Sequence, residues 1–404
     1  DMNSIYTNFT GLFKDGSPLD FLATWQKAFE KASEKEKALF EETYSDKWFT
    51  YNTPQMSLTA QGIMGKYRLR FMASVIGNES PTPLRRADGF DAWTKEIPRV
   101  GHKFFMPADV YRKLMEVYEN PRLNDASKVR AIEKTLKMDM QDAYLGVKDV
   151  MDNIALQALS NYGVARFTTE LNNPQGREFE VDYDMDPTNK LVAPLPFTDA
   201  NLASGVNFIL LMSQIISDFK QKGIEFGELL MSQDLYYKIR MSEPVRLMVH
   251  GNDRKAKNVT ADQFNELLSS NEIPPITTVT RKMGIDKDGQ RLSTTPWNPN
   301  FIALKPSGII GEIQPSIEDS ELLPEKDVTY FNAGNGIRIA KWVTGESTNQ
   351  KSGETTQGSG RLLPIITEIN AIVSMQVRGF EAKVLPDGAN YFTKDQYDAA
   401  LPAG

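Results

Sequence analysis

The spacing of apolar and polar positions divides the chain into stretches of different period. Residues 17–37 read as a helix. Ser17 can cap it, Pro18 suits its first position, and Asp20 favours the positive end of the dipole. Leu22, Trp25, Phe29 and Ala32 follow on one face. Glu and Lys dominate 31–37, which predicts a solvated face or, on a sharper reading, an arm that grips a partner. Helical period is absent from 51–106. Gly62, Gly65, Gly77, Pro81, Pro83, Gly89, Pro98 and Gly101 punctuate this stretch, Pro107 closes it, and only 67–76 and 103–106 read as short strands. So long a segment with little core of its own predicts an excursion bound to something else.

The next stretch has the strongest pattern. Asn124 or Asp125 can cap a helix whose apolar positions are Val129, Ile132, Leu136, Met140, Tyr144, Val147, Met151, Ile154 and Ala158, with Gly163 as its stop. Steps of three and four keep all nine on one face. At ~1.5 Å per residue, ~38 residues would span roughly 57 Å. The alternative is two helices broken near Gly146, the one glycine in the run. A hairpin pattern follows over 164–171 and 177–185, with turn residues at 172–176. Phe179, Val181, Tyr183 and Met185 alternate with Glu180, Asp182 and Asp184. Together these predict a long helix packed on a long β-ribbon.

Residues 190–361 alternate between helix and strand. Thr198 can cap a helix carrying Leu202, Val206, Ile209, Leu210 and Ile216 and closing at Gly223. Ser232 and Thr260 can cap two more. Strands are expected at 229–231, 276–279 and 301–304, and a hairpin at 328–343. Within this stretch the polar run TGESTNQKSGETTQGSG (344–360) predicts a flexible loop. The apolar 362–377 predicts a strand that returns to the ribbon beside the long helix.

Composition narrows the function. The 404 residues suffice for two or three domains. Lys and Arg number 46 against 53 Asp and Glu, a formal net charge of −7. A protein that grips nucleic acid normally carries a basic excess or stripe, so sequence-independent DNA binding is not expected. There is no cysteine and there are two histidines, His102 and His250. That removes disulfide frameworks, thiolate chemistry and most zinc and triad sites. The opening residues lack a basic segment followed by an apolar run, and no stretch approaches the ~20 apolar residues of a membrane span, so no leader and no membrane partner are expected.

Candidate chemistry is sparse. Asp182, Asp184 and Asp186 could hold Mg²⁺ or Ca²⁺, but read better as the wet face of a strand. Asp286-Lys287-Asp288-Gly289 opens like a calcium loop, yet Trp297 stands where the distal Glu is required, so a turn is expected. Gly62 to Lys66 lacks the spacing and hydroxyl of a phosphate loop. Ser217 to Lys220 fits Ser-x-x-Lys only inside an amphipathic helix. His102 and His250 suit hydrogen-bonding roles. No catalytic, cofactor or metal residue is assigned. Pro83 to Trp93 mixes charge with aromatics, a composition suited to an intersubunit contact. Arg85 and Arg86 can clamp a neighbour's carboxylates bidentately, a solvated pair being the alternative. Arg85, Arg86, Phe90 and Trp93, with Trp25 of the first helix, are the candidate intersubunit contacts.

The order of parts is arm, extended loop, very long helix, β-ribbon, inserted α/β domain and returning strand. It resembles the major capsid proteins of tailed bacteriophages with the Hong Kong 97-type fold. Ala92-Trp93-Thr94-Lys95-Glu96-Ile97-Pro98-Arg99-Val100-Gly101, leading to Phe104-Phe105-Met106-Pro107-Ala108-Asp109, is similar to that family's run out of its extended loop. The resemblance covers nearly the whole chain. It implies an α+β fold with an N-terminal arm (1–50), an E-loop (51–106), a P-domain with its spine helix and hairpin (107–189), an A-domain (190–361) and a returning strand with the C-terminus (362–404). It also implies hexamers and pentamers of this chain in an icosahedral shell around double-stranded DNA, assembled in the bacterial host cytoplasm, with scaffold, portal and decoration proteins as partners. The family's lysine crosslink is not carried over, because Lys66 and Lys95 lie in the right region but no partner Asn is identified. The rival expectations are an encapsulin-like compartment and a soluble enzyme.

Overall fold

The computed structural model describes residues 43–64, 91–252, 257–345 and 351–402. They fall into two compact units. One comprises Asp1–Ala60, Lys95–Asp152 and Glu312–Ile365, the other Gln61–Thr94, Asn153–Gly311 and Ile366–Gly404. Elements are numbered along the chain.

The first unit is built on one sheet. Strand β16 (Gly353–Ile365) is its spine. One side of β16 pairs over Gly353 to Arg361 with β4 (Arg99–Pro107), and Gly353 to Gly360 pair also with β15 (Ile337–Thr344). Its second half pairs with β13 (Gly311–Ser316). Strand β14 (Thr329–Gly334) extends the sheet beyond β15, and β1 (Phe49–Tyr51) lies beside β13. Helices α1 (Tyr44–Trp48), α2 (Ala108–Glu119) and the four-residue α9 (Asp319–Leu322) complete the unit, α2 packing on β4 and β16. Strands β2 (Thr59–Met64) and β3 (Asp91–Glu96) pair only with each other.

The long helix is real and unbroken: α3 runs Asp125–Leu159, 35 residues. The side chain of Asn124 accepts the Ser127 N–H at 2.9 Å, capping it as its sequence predicts. Tyr162 (φ 54°) and Gly163 (φ 85°) turn the chain out of it. Met140, Tyr144, Val147, Met151, Ile154 and Ala158 are all buried. The side chains of Val129, Ile132 and Leu136 lie outside the described set. Helix α2 carries no cap residue that flags it in the sequence: Pro107 precedes it and makes no side-chain bond.

The second unit is a six-stranded sheet ordered β18-β7-β17-β12-β8-β9. Its strands are β7 (Lys190–Val192), β8 (Glu228–Ser232), β9 (Ile276–Val279), β12 (Phe301–Lys305), β17 (Val373–Gln376) and β18 (Phe392–Thr393). Around it lie α4 (Asp199–Ser204), α5 (Phe208–Gln221), α6 (Gln233–Arg240), α7 (Glu243–His250), α8 (Ala261–Ser270) and α10 (Lys394–Ala399). Phe197, Phe208, Phe219 and Phe264 centre its apolar core with Met212 and Ile302. Thr198, Ser232 and Thr260 cap α4, α6 and α8, the last with a full capping box through Gln263. Two hairpins, β5–β6 (Val164–Phe167, Phe179–Asp182) and β10–β11 (Met283–Lys287, Gln290–Thr294), pair outside this sheet.

Four expectations are corrected. Residues 353–360 are not loop but half of the central strand, bonded on both sides. The stretch 362–377 is not one strand returning to the hairpin. It ends β16 at Ile365, turns, and enters the other sheet as β17 between β12 and β7. The single helix expected over 199–223 is two: the chain resets at Gly205, Asn207 caps α5 afresh, and Leu210 is left 61% exposed. The β5–β6 hairpin is four residues on each strand, and the strands beneath the long helix are instead β4 and β16. By contact, Glu312–Ile365 lie in the same compact unit as most of α3.

Candidate functional site

Within the first unit the sheet has two faces of different character. On one lies α3, at backbone distance. A Cβ on Gly358 would stand 2.0 Å from the Ala143 carbonyl oxygen, and one on Gly146 would stand 2.1 Å from Cε1 of His102. The His102 ring fills the space at Gly146, with Nε2 3.0 Å from the Ala143 carbonyl. Buried Lys341 and Glu354 approach at 3.4 Å on adjacent strands. Glycine in the middle of a helix and of a central strand is unfavourable by propensity. Here it is what lets helix and sheet touch.

The opposite face is an open polar groove of about 460 Å³, lined among others by Lys103, Glu325, Tyr330, Trp342, Gln357 and Ser359. The Lys103 ammonium sits 5.3 Å from the Trp342 ring centre, and the Arg338 guanidinium 4.1 Å from that of Tyr330. At one end Arg99 holds buried Glu318 at 2.7 Å, while Arg361 approaches the other oxygen at 3.7 Å and binds Asp319 at 2.7 Å. Arg99 and Arg361 are thus paired with carboxylates, while Lys103 and Arg338 lie over aromatic rings and keep their charge.

A third cluster fastens the segment Thr43 to Tyr51 to α3. Lys148 binds Asp46, and buried Asp152 accepts the backbone N–H of Ser45 at 2.7 Å. Its trace in the sequence is faint: Lys148, Asp149 and Asp152 are the last charges before the uncharged run from Asn153 to Asn161.

Residues considered for chemistry are tied up structurally. Asp182 accepts the Asp184 N–H, and Asp186 caps the turn at Pro187–Asn189 by accepting from Thr188. Among the described residues no group of three His, Asp or Glu side chains could hold a metal ion. Asp286 accepts the Gly289 N–H in a tight turn with Asp288 and Gly289 at positive φ. Asp218 takes bonds from Gln214 and Tyr391. His250 ends α7, with Nε2 3.2 Å from the Asn258 carbonyl. Burial pushes the Tyr51, Tyr162, Tyr183 and Tyr391 phenols up, so they stay protonated, and Tyr162 donates to the Leu191 carbonyl at 3.0 Å. Among the described residues no helix is long and apolar enough to cross a membrane.

Arg85, Arg86, Phe90 and Trp25 lie outside the described residues. Trp93 is on β3, with its side chain outside the described set.

No family model and no curated relative matches the sequence. Solved structures do match its fold. A candidate capsid protein of a prophage of E. coli CFT073 aligns over 88% of this chain and 98% of its own, at 9% identity and a TM-score of 0.52. A phage-related protein of Bordetella bronchiseptica RB50 aligns over 89% and 98%, at 11% identity and a TM-score of 0.43. The capsid protein of Cyanophage P-SCSP1u aligns over 83% and 88%, at 12% identity and a TM-score of 0.38. The first match establishes the fold: over nearly its whole length this chain has the α+β fold of the prophage protein, in keeping with the Hong Kong 97-type resemblance.

Proposed function

We propose that this chain is the major capsid protein of a tailed bacteriophage, a structural subunit of the virion shell. The observation that carries this reading is the match to the prophage capsid-type protein over 88% of one chain and 98% of the other. Shared fold alone does not assign function. The structure adds weight, since Asp182, Asp186 and Asp286, considered for metal binding, each accept a bond within a turn.

On this reading copies of the chain associate as hexamers and pentamers. The arm (1–50) and the E-loop (51–106) reach neighbouring subunits, with Trp25, Arg85, Arg86, Phe90 and Trp93 as contacts, while Thr43 to Tyr51 and β4 anchor them within their own chain. The sheet and long helix of the first unit form the stiff part. Residues 190–361 form the domain at the capsomer axis. The net charge of −7 suits a wall that encloses DNA without gripping it. Scaffold, portal and decoration proteins are the expected partners, and assembly takes place in the host cytoplasm.

Electron microscopy of the protein, expressed with and without its neighbouring phage genes, tests this. Uniform closed shells with hexameric capsomers are expected. Monomers or small oligomers in every condition, scaffold co-expression included, would overturn it.

A further inference from the structure

The buried half of α3 carries two charges one turn apart, Lys148 and Asp152. The Lys148 side chain is 8% exposed and Asp152 is wholly enclosed. Both engage the short segment that enters the first unit at Thr43. Lys148 Nζ lies 2.6 and 2.8 Å from the two carboxylate oxygens of Asp46. It also sits 5.3 Å from the Tyr144 ring centre and 5.7 Å from that of Tyr51. Asp152 accepts the backbone N–H of Ser45 at 2.7 Å and of Tyr44 at 3.2 Å. Asp46 in turn accepts the Thr43 hydroxyl at 2.6 Å.

Trp48 and Phe49 supply apolar burial for the same segment. That attraction is non-directional and does not by itself choose which turn of a long helix the segment sits against. Buried ion pairs are a weak source of net stability, since apolar replacements are often neutral, but they are specific in geometry. Two charged fastenings one helical turn apart specify a single register.

We propose that Lys148 and Asp152 are positioning residues. They lock the segment Thr43 to Tyr51 to one turn of α3, and so fix the position of this segment on the first unit. Folding does not need this register; shell assembly does. The assembly part rests on the capsid reading above.

The test uses the full chain carrying Lys148→Met with Asp46→Asn, beside Lys148→Arg. Amide hydrogen exchange on the unassembled subunit is expected to quicken roughly tenfold or more over 46–48 in the first variant, as loss of a charged hydrogen bond implies, while Tyr44 and Ser45 keep their bonds to Asp152. Its thermal midpoint should stay within about 3 °C of the parent. Under conditions where the parent forms uniform shells, this variant should give irregular or open particles, and Lys148→Arg should restore both protection and shells. Parental exchange rates or parental shells in the double variant would overturn the proposal. So would a collapse of its thermal midpoint, which would make the pair a folding element. If the parent forms no shells in any condition, the capsid reading fails, and the exchange experiment still decides whether Lys148 sets the register.

Discussion

Gly358 and Ala143 meet backbone to backbone: a Cβ on the glycine would lie 2.0 Å from the alanine carbonyl oxygen. Gly358 sits in the middle of β16, paired with His102 on one side and Ile339 on the other, so it cannot shift without breaking two ladders. Gly358→Ala should therefore destabilise the first unit by roughly 3 kcal/mol or more, the range of severe overpacking. Denaturant unfolding, or failure to recover soluble protein, would show it. A variant as stable as the parent would mean that the helix does not lie this close.

Gly146 poses the opposite problem, because what blocks a Cβ there is a side chain. Alanine gains about 1 kcal/mol over glycine inside a helix, but the new Cβ must displace the His102 ring from its place beside the Ala143 carbonyl. Gly146→Ala alone should destabilise by about 1–2 kcal/mol. In a His102→Ala background the same change should be neutral or stabilising. A double-mutant cycle reads the coupling directly, and additive effects would refute the contact.

Glu368 gives a signed pH dependence. Burial holds its carboxyl above the usual carboxylate range, so the folded state favours the protonated form. The stabilising contribution is full below the unfolded carboxylate range and is lost as pH rises through the folded value. Glu368→Gln should thus raise the thermal midpoint at pH 7 and leave it unchanged near pH 4. Equal midpoints at both values would show that the carboxylate is adequately solvated or paired.

The proposed role of the extended loop predicts that folding and assembly can be separated. Strands β2 and β3 pair with each other, so residues 66–89 can be replaced by a short Gly-Asn linker that leaves both strands in place. The shortened chain is expected to unfold at close to the parental temperature, as followed by circular dichroism, yet form no closed shells by electron microscopy. Normal shells would remove the loop, and with it Arg85 and Arg86, from the subunit contacts.

Local patterns in this chain were legible because they depend on near neighbours alone. The stripe from Met140 to Ala158, the caps Asn124, Thr198, Ser232 and Thr260, and the strands at 276–279 and 301–305 are written in period and hydrogen-bonding chemistry. Even the order of parts that suggested a phage capsid fold could be read this way. Pairing could not. The polar run ending in GETTQGSG has the composition of a linker, yet its small residues are what a central strand needs where a helix presses on it, and only the positions of Ala143, β4 and β15 reveal that. The split of 362–377 between two sheets, and the meeting of Lys148 with Asp46 across 102 positions of sequence, are likewise long-range. Their signals lie in partners that come together only when the chain folds.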